Sequence, residues 1–129
     1  MIPAAIAVFV CTVAVDLRAS FDRLAALTRQ HVGRDPLTDA ALYLFLNRAR
    51  THAKVLWWDR SGWALLYKRL ERGTFHLPTA FEPDATHVLI DRRELELILE
   101  GIDLPSPRTR PPRRPPRAQD APSTPAATK

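Results

Sequence analysis

From Ala41 to Leu70 the chain repeats one pattern three times, an apolar run followed by a polar joint. Ala41 to Leu46 leads into Asn47 to His52, Ala53 to Trp58 into Asp59-Arg60-Ser61-Gly62, and Trp63 to Leu70 closes the series. Short aliphatic and aromatic runs bounded by turn formers favour strands, and joints this brief let neighbouring strands pair only antiparallel. The pattern therefore predicts a meander. Along the middle run, alternation sends Lys54, Leu56 and Trp58 to one side and Val55, Trp57 and Asp59 to the other. Both faces of such a sheet carry apolar groups, so either each is covered by other elements or one is open to a partner.

The flanking segments supply the rest of a domain. Ile6 to Val13 has the β-branched and aromatic content of another strand, ended by Asp16. Ser20 stands at an N-cap position, Phe21, Leu24, Ala25 and Leu27 follow at helical spacing, and Gly33 with Pro36 provides a stop. These signals predict a helix over 20–32. Thr74 to Leu77 reads as a short addition to the sheet before Pro78, and 79–86 as loop. Asp91-Arg92-Arg93-Glu94 has capping-box spacing, and Leu95, Ile98, Leu99 and Ile102 continue at i, i+3, i+4 and i+7. The expected fold class is α+β: an antiparallel β-meander of about four to five strands with two amphipathic helices, most simply packed on one face.

Composition changes abruptly near Leu104. Residues 104–129 hold eight of the twelve prolines, with Arg108, Arg110, Arg113, Arg114, Arg117 and Lys129 against Asp120 alone. With almost nothing apolar to bury, this stretch is expected to be a disordered Pro/Arg-rich tail, leaving 1–103 as a single domain. The tail's six basic groups less one acid equal the whole net charge of +5. The isoelectric point of about 10.1 is therefore a property of the tail more than of the domain. Within the domain the signs balance but are segregated: Arg48, Arg50, Lys54, Arg60, Lys68, Arg69 and Arg72 meet only Asp59 and Glu71 over 48–72, whereas 73–103 is rich in Asp and Glu. A basic part suits a polyanion and an acidic part a protein, and an ordinary solvated surface is the plain alternative.

Little in the chain is built for catalysis. His31, His52, His76 and His87 are too widely spaced for one element to present two metal ligands, and no CxxC or HxxxH occurs. Cys11 is alone in an apolar run, which denies it an internal disulfide and fits a reduced, cytoplasmic setting. The four glycines form no phosphate loop. Asp16, Asp22 and Asp59 are the carboxylates nearest the basic segment, too few for a two-metal nuclease centre, and Asp16 and Asp59 occupy a strand end and a turn start where aspartate serves the backbone. The opening MIPAAIAVFVCTVAV lacks the basic start of a signal peptide and is too short to cross a bilayer. No catalytic residue, metal, cofactor, small-molecule substrate or membrane contact is expected. Nucleic acid is a better match, because Lys54, Trp57, Trp58, Trp63, Tyr67, Lys68 and Arg69 mix cations with flat rings. At least half of those rings belong to the core by alternation, but no packing requirement explains Arg48 and Arg50 in a connection.

In order along the chain come Asp16-Leu17-Arg18, Phe21-Asp22-Arg23-Leu24-Ala25-Ala26-Leu27, Asp35-Pro36, Leu44-Phe45, Lys54-Val55-Leu56-Trp57-Trp58-Asp59, Gly62, Leu66-Tyr67-Lys68-Arg69-Leu70-Glu71-Arg72-Gly73, Phe75 and Leu99-Glu100-Gly101-Ile102-Asp103. Together they resemble the TnpB accessory protein of insertion sequence family sixty-six over residues 3–103. The resemblance implies a protein encoded beside a bacterial transposase and assisting transposition, the catalytic acidic triad lying in that separate, longer chain. It implies a non-enzymatic factor whose partners are element DNA, the transposase and other accessory proteins of the element. This chain departs from the pattern at Ala19, where a basic residue is usual, and in the 48–52 turn, which lacks a glycine. The residues expected to meet DNA are Arg48, Arg50, Lys54, Lys68, Arg69 and Arg72, with the tail. Asp16 and Arg18 are expected to form an ion pair or to fix a turn. The other reading is an adaptor that docks the transposase through the acidic helix from Asp91 to Ile102 or through an open sheet face.

Overall fold

The computed structural model describes residues 7–77 and 81–102, so the Pro/Arg-rich stretch from 104 lies outside the described residues. The three apolar runs become strands β2 (Ala41–Leu46), β3 (His52–Trp58) and β4 (Trp63–Arg69), paired antiparallel in sequence order with Leu44 opposite Val55 and Trp58 opposite Trp63. Strand β1 (Ala7–Cys11) instead lies parallel to β2, Val8 opposite Leu42 and Val10 opposite Leu44. The connection from β1 to β2 is long enough to carry a helix across the sheet and return the chain to the same end, which parallel pairing requires. The expectation of a wholly antiparallel meander is corrected by this pairing, and the sheet is mixed.

A second correction concerns the fifth strand. Thr74 to Leu77 forms no strand; Phe75 and Leu77 are buried in the core instead. The strand is β5 (His87–Ile90), antiparallel to β1 with Phe9 opposite Leu89, and the sheet order is β4-β3-β2-β1-β5. The apolar run Val88-Leu89-Ile90 directly before the capping box was its sequence signal.

The helix expected over 20–32 is present in two windings, α1 (Phe21–Leu27) and a π-helical turn over Thr28–Val32. Buried Thr28 donates its hydroxyl to the Leu24 carbonyl at 2.9 Å, a side-chain bond that competes with the backbone ladder and distorts helices. Gly33, at φ 75, ends the segment with its N–H on the Thr28 carbonyl. Ser20 occupies the N-cap position but makes no side-chain capping bond. Helix α2 (Arg92–Leu99) has both halves of its capping box: Glu94 N donates to Asp91 at 2.7 Å and Asp91 N to Glu94 at 3.1 Å.

The helices lie on opposite faces of the sheet, not on one. Leu24, Ala25 and Leu27 of α1 pack with Phe9, Tyr43, Phe45 and Leu56, while Leu95, Ile98 and Leu99 of α2 pack with Val8, Val10, Leu42, Val55 and Trp57. The reason is β2, which is buried at every position and needs cover on both sides.

Candidate nucleic-acid interface

The joint between β2 and β3 is folded around one side chain. Asn47 Oδ1 accepts from the backbone N–H groups of Thr51 and His52 at 2.9 and 3.0 Å, and its Nδ2 donates to Thr51 Oγ1 at 3.1 Å. Asparagine provides both donor and acceptor for such a turn. Arg48, Ala49 and Arg50 are left exposed at its tip, Arg50 with φ 58 in the left-handed region.

The chain leaving β4 docks on this joint. Leu70 N donates to the Thr51 carbonyl at 3.0 Å, Phe75 N to the Arg50 carbonyl at 2.7 Å, and Arg69 stands opposite His52. Two basic segments distant in sequence, one bearing Arg48 and Arg50 and the other Arg69 and Arg72, thus share one end of the sheet.

A third segment joins them. Val15 N donates to the Leu46 carbonyl at 3.0 Å, and buried Val15 and Leu17 anchor a loop that turns Asp16 and Arg18 outward. Arg18 Nη2 lies 2.6 Å from Asp16 Oδ2, Nε reaches both carboxylate oxygens at 3.1 Å, and Arg18 N donates to Oδ1 at 3.0 Å. The side-chain hydrogen bonds from Arg18 hold the Asp16 carboxyl down at about 2. Both side chains are largely in solvent, so the pair sets geometry more than stability.

Between this loop and the β2–β3 joint runs a cleft of about 460 Å³, whose lining includes Asp16, Arg18, Asn47, Arg48, His52 and Tyr67. A second hollow of about 590 Å³ lies on the α1 side of the same loop, lined in part by Arg18, Arg23 and His31.

The residues expected to meet DNA divide three ways. Arg48, Arg50, Arg69 and Arg72 are exposed at the shared end, with Arg69 3.0 Å from Glu71. Lys68 faces the α2 side, opposite Ala53, with Nζ 3.9 Å from Glu100. Lys54 is only 7% exposed; its Nζ donates to the Ala19 carbonyl at 2.8 Å and lies 4.8 Å from the Tyr67 ring centre. It ties β3 to the start of α1 and is turned inward. Of the aromatic set, Trp57 is core, and Trp58 and Trp63 meet edge-on at 5.0 Å at the opposite end of the β3–β4 pair. Tyr67, 57% exposed, is the ring beside the arginines. Sequence reasoning missed that Arg18 and Tyr67 line the same cleft as Arg48. The alternation that places His52, Lys54, Tyr67 and Arg69 on one face was the available signal.

Elsewhere, Cys11 is buried in the core on the α1 face, and burial pushes its thiol up. Among the described residues no group of three or more His, Cys, Asp or Glu side chains is placed to hold a metal ion, and no helix is long and apolar enough to cross a membrane.

The family model described as IS66 Orf2 like protein matches residues 6–109. The chain belongs to this family. The IS66 Orf2-like match runs past Leu104, where the composition changes, and it places the chain among the accessory proteins of transposition. That family is not a known enzyme family. Relatives include two proteins of Sinorhizobium fredii (strain NBRC 101917 / NGR234), both described as uncharacterized. The first, y4hO, is 34% identical over 101 residues, covering 78% of this chain and 84% of the relative. The second, y4jC, is 29% identical over 108 residues, covering 84% and 89%. No solved structure matches the chain.

Proposed function

We propose that this IS66 Orf2-like chain serves transposition as a non-enzymatic factor that holds element DNA on the arginine-rich end of its sheet. The observation that carries the reading is the pair of backbone bonds from Phe75 N to the Arg50 carbonyl and from Leu70 N to the Thr51 carbonyl, which keeps Arg69 and Arg72 beside Arg48 and Arg50. Arg18 adds a further guanidinium across the cleft. The acids nearby, Asp16 and Glu71, are each already paired with an arginine. Planar guanidinium groups with several donors suit phosphate oxygens. Lys54 is left out of this interface because its ammonium is buried, and Lys68 because, opposite Ala53, it lies on the α2 face of the sheet. The arginines beyond residue 104 add sequence-independent attraction.

Fluorescence anisotropy over a salt series tests the reading, using the element's terminal duplex and a scrambled duplex of equal length. The slope of log affinity against log salt is expected to shrink by about 2 in the double variant Arg48→Ala/Arg50→Ala, and to stay unchanged in Lys68→Ala. A slope untouched by the double variant removes this end of the sheet from the interface.

The adaptor reading has one observation in its favour: Glu96 of α2 and Glu100 at its C-cap hold side chains that are 60% and 69% exposed. Transposase capture that survives high salt and disappears in Glu96→Lys/Glu100→Lys would select it over DNA contact.

A further inference from the structure

The arginine-rich end is recessed as well as charged, and the recess has an aromatic side. Tyr67 lines the 460 Å³ cleft and keeps 57% of its surface exposed. Its position is fixed from within the sheet: the His52 ring lies 5.9 Å away at 33°, and the Lys54 ammonium, anchored on the Ala19 carbonyl, sits 4.8 Å from the ring centre. Arg48 and Arg18 line the same cleft, and Asp16 engages Nε and Nη2 of Arg18 and so orients that guanidinium.

A duplex offers a protein its phosphates and its base edges, but its base faces are stacked on one another. An aromatic ring in a recess flanked by cations is matched instead by a base that has left the stack. We propose that this cleft receives one unpaired nucleotide of element DNA, its base stacked on Tyr67 and its adjoining phosphate held by Arg48 and Arg18. The proposal rests on the DNA-contacting reading and narrows its substrate to DNA with a single-stranded segment. Lys54 is then a positioning residue: buried away from phosphate, it keeps the Tyr67 ring in place.

The test uses the full chain and three labelled DNAs: a blunt duplex of the element end, the same duplex with a single-stranded 3′ extension, and that extended duplex carrying 2-aminopurine in the extension. The extension is expected to tighten binding about tenfold. Tyr67→Ala should erase that gain while leaving blunt-duplex affinity and its salt slope as they were, and Tyr67→Phe should keep the gain. The mostly exposed ring makes Tyr67→Ala a tolerable substitution, and thermal melting of the variant checks its fold. Independently of any variant, 2-aminopurine fluorescence should be quenched on binding as the base stacks.

Equal affinity for blunt and extended duplexes with the arginine-dependent slope intact would overturn the nucleotide cleft and leave the DNA-contacting function standing. An equal loss for both DNAs in Tyr67→Ala, or unquenched 2-aminopurine in the bound complex, would overturn it as well. Absence of any arginine-dependent binding would remove both proposals together.

Discussion

Arg50 sits at φ 58 at the tip of the β2–β3 joint, a backbone region that costs a residue with a Cβ roughly 1–2 kcal/mol. The joint holds it there through the bonds from its N–H to the Asn47 carbonyl and from Phe75 N to its own carbonyl. Glycine occupies this region without that cost, so Arg50 is a cation held where the backbone itself would favour a residue with no side chain. Arg50→Gly is therefore expected to raise stability by about 0.5–1 kcal/mol, read as a higher urea midpoint at unchanged m. The same variant should flatten the salt dependence of DNA binding by about 1 in slope. A variant that weakens both stability and binding would show that the arginine side chain supports the turn itself. At the neighbouring loop the ion pair makes a prediction in pH. Asp16 is held at about 2, below its ordinary 3.8, first by its side-chain hydrogen bonds with Arg18. A carboxyl depressed on folding stabilises the native state fully above its unfolded value, and that contribution is lost as pH falls through its folded value. The window here is from about 3.8 down to about 2. The carboxyl carbon shift of Asp16, followed by NMR, should titrate near the lower value, and in Arg18→Gln it should move up toward the ordinary one. An unchanged midpoint in the variant would assign the depression to another group.

Among the elements, the β2–β3 joint links fold to site most directly. Asn47 satisfies two backbone donors with one oxygen and binds the Thr51 hydroxyl with its nitrogen. Asn47→Ala leaves those partly buried donors without their acceptor, at a cost of about 1–3 kcal/mol. All the arginines remain in that variant, yet DNA binding should weaken, because Arg48 and Arg50 lose their shared frame. Urea unfolding and anisotropy on the same preparation measure both effects, and full affinity in a destabilised protein would mean that the turn's geometry is irrelevant to contact. This joint was legible in the sequence because turn residues and alternation act locally. The α2 capping box was legible for the same reason, since Asp91 and Glu94 bond each other within a single turn. What escaped is set by contacts distant in sequence. The parallel pairing of β1 with β2 follows from α1 crossing the sheet, and β5 has four residues, too short to show a period before it finds β1. Thr74 to Leu77 resembles a strand because Phe75 and Leu77 fill the core beneath α2. Lys54 reads as a surface cation until α1 brings the Ala19 carbonyl within 2.8 Å of it.

At the scale of the whole molecule, two groups of basic residues could meet DNA, those at the end of the sheet and those of the Arg/Pro stretch beyond residue 104, and DNA binding alone does not distinguish them. Folding stability does. A ligand that binds only the native state raises its stability by mass action, by about 2.7 kcal/mol at a free concentration one hundred times its dissociation constant. The sheet end exists only when the domain is folded, because Arg48, Arg50, Arg69 and Arg72 are assembled by the bonds through Thr51 and Arg50. The Arg/Pro stretch would attract phosphate through the charge of its six basic residues, and binding through that charge alone should not depend on whether the sheet end is folded. Contact through the sheet end therefore predicts that element DNA raises the midpoint of thermal unfolding by several degrees in low salt, and that the gain shrinks in Arg48→Ala/Arg50→Ala. Contact through the Arg/Pro stretch alone predicts tight, salt-labile binding with no change in midpoint. Phe75 sharpens the comparison, since its side chain is fully buried in the core while its N–H holds the Arg50 carbonyl. Phe75→Leu should destabilise the domain and lower the midpoint, because packing loosens while the backbone bond is kept. Saturating DNA should then restore most of that loss if the folded sheet end is the binding surface, and none of it if the domain is a bystander to its own arginine-rich extension.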